Sequence, residues 1–417
     1  MAMVVSNSKL KIRCWSDGCC KLPMEIIEEI VLRSDAKSVI RFKCVSRYWL
    51  SRLSEPSFMN AYHKRQVPRT LMGVHFTGWS VFLSGRGGCV DLFSVRISEN
   101  FDQISSQVYS FERKASEMVF MGSDSGVICL RGRYDNSVYL WNPAIEKHKK
   151  LPRTPPPPSN LNLHIFLYGF GYEPLTNDFK VVAVGGGGER SGYGSMLCGN
   201  FFLKGEQVSV YSSKSDSWKT MVMPDLISSD QHDNHSTLMV VITSMGSVVV
   251  SDSIHWPIAI HRLTPRYEKL ADDVVAFDLS SEEFKLIKAP SSLKNKGFIN
   301  RSISNFCGCL SLNTSSLSCI EIWVMKKYGV WDSWTKYLYV DFANQTVPSS
   351  LRKHFRPHFR PLGVSHNGNL LLESRSLDVK NRYVLSFYDP KSRTVYYIGE
   401  RESRYYFANY AESIFLG

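Results

Sequence analysis

The sequence predicts an α+β chain: a flexible tail over residues 1–20, a small all-helical module over 21–66 and a large all-β domain over 67–417. Three observations predict it. Apolar residues recur at helical spacing between Leu22 and Tyr62. After Pro68 that period gives way to short aliphatic and aromatic runs punctuated by Gly, Asn, Asp and Pro, the marks of strands and turns. Those runs also repeat along the chain.

Within the module, Pro23 suits the first position of a helix, where its missing N–H removes no bond. Glu25 and Glu28 stand early, where the helix dipole favours acids. Ile26, Ile27, Ile30 and Val31 form an apolar stripe. Asp35 or Ser38 can cap a second helix running through Val45, with Val39, Ile40, Phe42 and Cys44 as its apolar set. Ser46 begins a third, carrying Trp49, Leu50 and Leu53, and Pro56 ends it; Phe58 and Tyr62 make a further i, i+4 pair. So short a module buries little surface and is marginal alone. Its many large apolar residues exceed what its core can hide, and an exposed apolar patch usually marks an interface.

The β-domain repeats a hairpin in which an aliphatic–aromatic strand enters a polar turn and leaves as a second strand. It reads VYLWNPAIEKHKKLP (138–152), VSVYSSKSDSWKTM (208–221), VVAFDLSSEEFKLI (274–287) and VLSFYDPKSRTVYYI (384–398), with a longer form at 320–340. Shorter Gly-led strands precede most of them, as in GVICL (126–130), GSVVVSDSIHW (246–256), GCLSL (308–312) and NGNLLLE (367–373). Trp141, Tyr211, Phe277, Trp323 and Phe387 mark the units at spacings of 70, 66, 46 and 64 residues. Kelch-like blades repeat at about 50 residues, and loop insertions lengthen the spacing. A kelch-like β-propeller is therefore the expected architecture, with a two-sheet β-sandwich as the rival. The tetraproline run at Pro155–Pro158, the glycine run at Gly185–Gly188 and the polar stretch 228–236 read as loops.

Composition limits the function classes. Fifty Lys and Arg against 38 Asp and Glu give a formal charge of +12, but the basic stretches 146–153 and 352–361 are neither unbroken nor on an evident groove-reading helix. A solvated basic surface is expected rather than a nucleic-acid site. The most apolar stretch, Leu238–Val250, is too short for a span of about 20 residues and reads as two strands joined at Ser244–Gly246; no membrane is expected. Residues 1–13 lack an export core, so the ten cysteines read as reduced thiols of a soluble intracellular protein of cytoplasm or nucleus. Neither Cys19–Cys20 nor Cys307-x-Cys309 has the spacing of a structural zinc site.

No catalytic set is legible. Gly122–Gly126 puts Asp124 where a nucleophile elbow needs Ser, and the glycine runs lack the Lys-Ser/Thr of a phosphate loop. His232 with His235, and His354 with His358, have loose metal-like spacing without an acidic or Cys partner. Trp141, Trp218, Trp323 and Trp334 read as inter-sheet core rather than a stacking platform. The polar loops around Asp225–His235 and Arg262–Asp273 are candidates for substrate contact.

Residues Leu22–Phe58 resemble the F-box motif in its plant form. Leu22, Pro23, Glu25, Lys37, Ser38, Arg41, Phe42, Cys44, Val45, Ser46, Trp49 and Phe58 fall in the motif's order. The family's Arg-Leu-Pro run between the first two helices is Arg33-Ser34-Asp35 here. Losing the proline is expected to relax the turn, and losing the leucine to remove an apolar contact. The remainder resembles the F-box-associated domain of plant F-box proteins, including relatives at self-incompatibility loci, through LWNPAIEKHKKLP, GFGYEPLTNDFKVV (169–182), SIHW (253–256) and IWVMKKYGVWDSWTK (322–336).

The resemblance implies a non-catalytic substrate receptor of an SCF-type (Skp-cullin-F-box) ubiquitin ligase, without cofactor. Its helices would dock on the Skp-type adaptor and, through it, a cullin-RING scaffold, while the β-domain holds an unidentified protein substrate. On the family's pattern Leu22, Pro23, Ile26, Ile30, Cys44, Val45 and Trp49 face the adaptor. Ile27, Val39, Phe42, Leu53 and Phe58 pack the module's core. An F-box protein acting outside a ligase, or a propeller that binds glycan or another ligand, remain alternatives.

Overall fold

The computed structural model describes residues 3–6, 9–12, 22–65, 70–76, 92–97, 104–109, 118–132, 135–155, 164–186, 200–201, 207–226, 238–242, 247–262, 268–293, 300–316, 319–341, 359–365, 367–375, 383–400 and 404–416. Within the segment expected to be a flexible tail, Met3–Ser6 (β1) and Lys9–Ile12 (β2) pair as an antiparallel ribbon.

Four helices follow: Met24–Leu32 (α1), Ala36–Lys43 (α2), Arg47–Ser54 (α3) and Pro56–Arg65 (α4). Of the two cap candidates for α2, Asp35 does the work: its carboxylate accepts from the Ser38 N–H at 2.9 Å and from the Ser38 hydroxyl at 2.7 Å. The helix stops at Lys43, short of the expected Val45. Ser46 caps α3 by accepting from the Trp49 N–H at 3.3 Å. Pro56, expected only to end α3, opens α4, since its fixed φ suits a first turn.

The four helices close over Val31, Ala36, Val39, Trp49, Leu53, Phe58 and Tyr62, with Ile27 and Phe42 packed against that cluster. Ala144 and Ile414 of the β-domain complete the same cluster. A module too small to be stable alone therefore finishes its core on its neighbour.

The β-domain holds six antiparallel sheets among the described residues. The first contains Thr70–Phe76 (β3), Leu92–Ile97 (β4) and Ile104–Tyr109 (β5). The second is Met118–Asp124 (β6), Val127–Gly132 (β7), Val138–Asn142 (β8) and Lys147–Lys150 (β9). The third takes His164–Glu173 (β10) and Asp178–Gly186 (β11), skips Asn200–Phe201 (β12), and adds Gln207–Ser212 (β13) and Ser217–Val222 (β14). The fourth joins β12 to Leu238–Ile242 (β15), Val248–Val250 (β16), Ser253–Arg262 (β17), Glu268–Asp278 (β18) and Phe284–Ile287 (β19). The fifth is Asn300–Phe306 (β20), Cys309–Ser315 (β21), Cys319–Met325 (β22) and Trp334–Asp341 (β23). The sixth is Phe359–Val364 (β24), Leu370–Arg375 (β25), Tyr383–Asp389 (β26) and Thr394–Glu400 (β27). Arg404–Tyr410 (β28) then returns to the first sheet and pairs with β3.

Contacts between sheets run β28 to β6, β6 to β10, β10 to β16 and β17, both of these to β20, β20 to β24, and β24 back to β28. That closed circuit is a β-propeller whose last strand joins its first blade, and it rules out the sandwich. The sequence repeat is the outer half of a blade. Trp141, Tyr211, Phe277, Trp323 and Phe387 all lie buried on the third strand, between the second strand, which is Gly-led in the second, fifth and sixth blades, and the outer fourth.

The two strands expected within Leu238–Val250 are β15 and β16, which run one after the other along β17. Two expectations need correction. Much of Arg262–Asp273, expected to be a loop, is the start of β18, because Glu268–Asp273 pairs with β17. Gly185 and Gly186, expected in a loop, end β11 and pair with β10. The segments 156–163, 187–199 and 227–237, which hold Pro156–Pro158, Gly187, Gly188, His232 and His235, lie outside the described residues, as do His354 and His358.

Indole N–H groups link successive blades. Trp218 donates to the Pro152 carbonyl at 2.9 Å, Trp256 to that of Tyr168 at 2.8 Å, and Trp334 to that of Lys288 at 3.0 Å. Gly169 lets the Trp256 ring lie against its backbone; a Cβ there would overlap the indole.

Candidate functional site

The nine residues of α1 carry two apolar stripes where a helix of a small domain needs one. At about 100° per residue, Met24, Ile27 and Val31 share the side that meets the core, and Ile26 and Ile30 lie a turn apart on another side. Leu22, Ile26, Ile30, Val45 and Leu50 are 47–55 % exposed, and Pro23, Cys44 and Tyr48 are exposed with them. These residues do nothing for the module's core. Together they give the helices an uncovered apolar surface.

Trp49, expected on that surface, is only 2 % exposed. It lies between Phe42 and Tyr48 as edge-on ring neighbours, at centroid distances of 6.1 and 5.3 Å. The i, i+4 pairing of Trp49 with Leu53 turns both inward, and Tyr48 and Leu50, one step to either side, face out. The i, i+4 spacing of Trp49 and Leu53 carries that inward orientation in the sequence, whereas the family's pattern places Trp49 on the surface.

Charge frames the surface. Arg52 binds Glu28 through two bonds of 2.7 and 2.9 Å and also pairs with Glu55, tying α1 to α3. The Arg52 bond holds the Glu28 carboxyl below the usual carboxylate range. Glu29 pairs with both Arg33 and Arg65.

The Arg33-Ser34-Asp35 turn, expected to be relaxed, is pinned from several sides. The Ser34 hydroxyl donates to Ile30 O at 3.0 Å, and the Tyr62 hydroxyl donates to Ser34 O at 3.0 Å. Asp35 meanwhile caps α2. These bonds supply the restraint that a proline would otherwise give.

Residues 81–405 match the model of the F-box-associated β-propeller domain, and residues 19–60 match that of the F-box domain. The chain belongs to the F-box-associated β-propeller family. Its F-box is the helical module just described. Among relatives in Arabidopsis thaliana, F-box/kelch-repeat protein At3g23880 is 26 % identical over 366 residues, 85 % of this chain and 86 % of that one. F-box protein CPR1 is 27 % identical over 367 residues, 84 % of this chain and 79 % of that one.

The F-box sits on the face of the propeller where strands one and two, and strands three and four, of each blade are joined. Its contacts there are Ala144 and Ile145 in the β8–β9 turn, Tyr172 at the end of β10 and the segment Ala411–Leu416. The Tyr172 hydroxyl lies 2.7 Å from Asn60 Oδ1 on α4. Lys37 pairs with Glu146 at 2.8 Å, an exposed pair worth little by itself. No cluster of three His, Cys, Asp or Glu able to hold a metal occurs among the described residues. No helix among them is long and apolar enough to cross a membrane.

Proposed function

We propose that the chain is the substrate-recognition subunit of an SCF-type ubiquitin ligase. The F-box docks on a Skp-type adaptor through Leu22, Pro23, Ile26, Ile30, Cys44 and Val45, joined by Tyr48 and Leu50. The adaptor bridges to a cullin-RING scaffold, and the propeller holds a target protein. The observation that carries this reading is the second apolar stripe on α1, which the fold leaves uncovered.

The chemistry on this reading is done elsewhere. The receptor contributes proximity, and holding two reactants together is worth effective molarities of about 10⁵ M or more in well-oriented systems. A rigid mount suits that task, and the F-box shares a core with the propeller instead of hanging on a loose linker.

The test is co-purification with a Skp-type adaptor. Ile26→Glu with Ile30→Glu should abolish capture of the adaptor and of cullin with it. Because both side chains are half exposed, the melting temperature should move little. Adaptor recovered at the wild-type level by the double variant would refute the docking surface. Adaptor captured without cullin would mark an F-box protein that works outside a ligase.

A further inference from the structure

The large apolar side chains exposed among the described residues fall into two groups, apart from the isolated Leu175 and Val222. One is the F-box surface. The other is Tyr328, Val330, Trp331, Tyr337 and Tyr339, all on the fifth blade, in β23 and the turn that leads into it.

That turn is ordered by its own bonds. The Lys326 N–H donates to Ser333 O at 3.1 Å, and the Ser333 hydroxyl donates to Val330 O at 2.6 Å and Lys327 O at 2.8 Å. Tyr328 is fixed from the next blade, its hydroxyl 2.8 Å from His255 Nε2. Val330 and Trp331 therefore stand in solvent on a rigid support, with Trp331 56 % exposed. Large aromatics held ready in this way are the residue type that anchors interfaces.

β23 is the outer strand of its sheet, and no described strand pairs with its free edge. Its two faces are decorated differently. On one, Lys336 lies over the rings of Trp323 and Tyr339, at 5.0 and 5.1 Å, and reaches the buried Glu321 at 3.2 Å. On the other, Tyr337 packs against Phe306 at 4.9 Å. Between Lys326 and Val340 there are three lysines, Lys326, Lys327 and Lys336, against one acid, Asp332.

We propose that β23 and its turn form a docking edge for an extended, acidic segment of the target protein. The segment adds to β23 as a further antiparallel strand. Its apolar side chains pack on the face of Tyr337 and against Trp331, and its carboxylates lie on the opposite face, beside Lys336 and Tyr339, with Lys326 and Lys327 adding positive charge at the turn. Main-chain bonds along the free edge give affinity, and the aromatic and cationic side chains give selectivity. The inference rests on the receptor reading above and names the class of substrate segment it takes.

The probe is a pair of fluorescein-labelled synthetic peptides, one alternating Val or Ile with Asp or Glu, the other with Lys in place of every acid. Anisotropy is measured on the full chain. The acidic peptide should bind, more weakly as salt rises, and the basic one should not. Trp331→Ala with Tyr337→Ala should weaken binding at least tenfold, as should Lys326→Glu with Lys327→Glu, which touches no packed residue. Val222→Ser, on the outer strand of the third blade, should change nothing.

Equal binding of both peptides, no binding of the acidic one, or wild-type affinity in the charge-reversed variant would overturn the proposal. So would a dimer of the full chain that the aromatic variant converts to monomer, because the edge would then belong to a second copy. Adaptor capture is read in the same preparations. Its loss in Ile26→Glu with Ile30→Glu, or its failure to be lost, bears on the ligase reading and leaves the peptide result standing.

Discussion

Asn142 is fully buried, and its amide is spent on the chain's far end. Its Nδ2 donates to Ser413 O at 3.0 Å, Ser413 Oγ at 3.1 Å and Phe415 O at 2.9 Å, while its Oδ1 accepts from the Ala144 N–H at 3.0 Å. Asn142→Ala strands two carbonyls and an N–H without water. At about 1–3 kcal/mol for each buried group left unpaired, the variant should lose roughly 3 kcal/mol or more in urea unfolding. A loss below about 1 kcal/mol would mean that water replaces the amide. Gly126 serves the same segment: its φ is +72°, and a Cβ there would meet Ala411 O and Ser413. His255 makes a different residue-scale prediction. Burial pushes its pKa down to about 4 from an ordinary 6.5. The unfolded chain therefore takes up the proton first. The stability this neutral ring represents is fully present above about pH 6.5 and is lost as pH falls towards 4, a difference of about 3 kcal/mol. His255→Gln should flatten the acid limb of stability against pH between those values. A limb as steep as that of the wild type would place the acid sensitivity elsewhere.

At the scale of elements, each short helix depends on its cap because too few turns exist to average over a weak end. Asp35 holds α2 by two bonds to Ser38, and Asp35→Ala should cost about 1 kcal/mol, with Asp35→Asn recovering most of it. Equal losses in both variants would assign the effect to charge rather than to capping. The caps, the core stripe of α1 and the outer hairpin of each blade were legible because each is written within about 20 consecutive residues. Asp35 and Ser46 are local signals, Pro23 stands one residue before the first helical position expected for it, and Trp141, Tyr211 and Phe277 recur on third strands. What was not legible is what the chain assembles from distant pieces. The first blade draws β28 from the C-terminal end and β3 to β5 from the other, so no contiguous repeat announces it. β12 leaves its sequence neighbours to pair with β15, and β15 and β16 share one partner instead of each other. At the site, the helical pattern marked Ile26 and Ile30, but only packing separates Trp49, which is buried, from Tyr48 and Leu50, which are not.

For the whole molecule, the decisive segment is Ala411–Leu416. β28 closes the propeller, and the residues after it run beneath the F-box, where Ile414 enters the helical core and Phe415 packs on Tyr172 and Phe179 at 4.8 and 5.4 Å. One short stretch thus belongs both to the F-box core and to the junction beneath it, and it follows directly on the strand that closes the ring. A chain ended after Tyr410 keeps β28 and its pairing with β3, so the propeller should still close. The F-box, however, loses Ile414 and faces an unpaired Asn142. Burial of such a side chain is worth about 1.5–3 kcal/mol, a large part of what a module of this size has in reserve. Calorimetry of the shortened chain should therefore resolve two transitions where the full chain gives one. The lower would belong to the helices and be accompanied by rapid proteolysis between α4 and β3. Adding the adaptor should raise the lower transition and leave the upper in place, because a ligand stabilises only what it binds in the folded form. A single transition at the wild-type temperature would show that the F-box stands on its own core, and that the tail only decorates the junction.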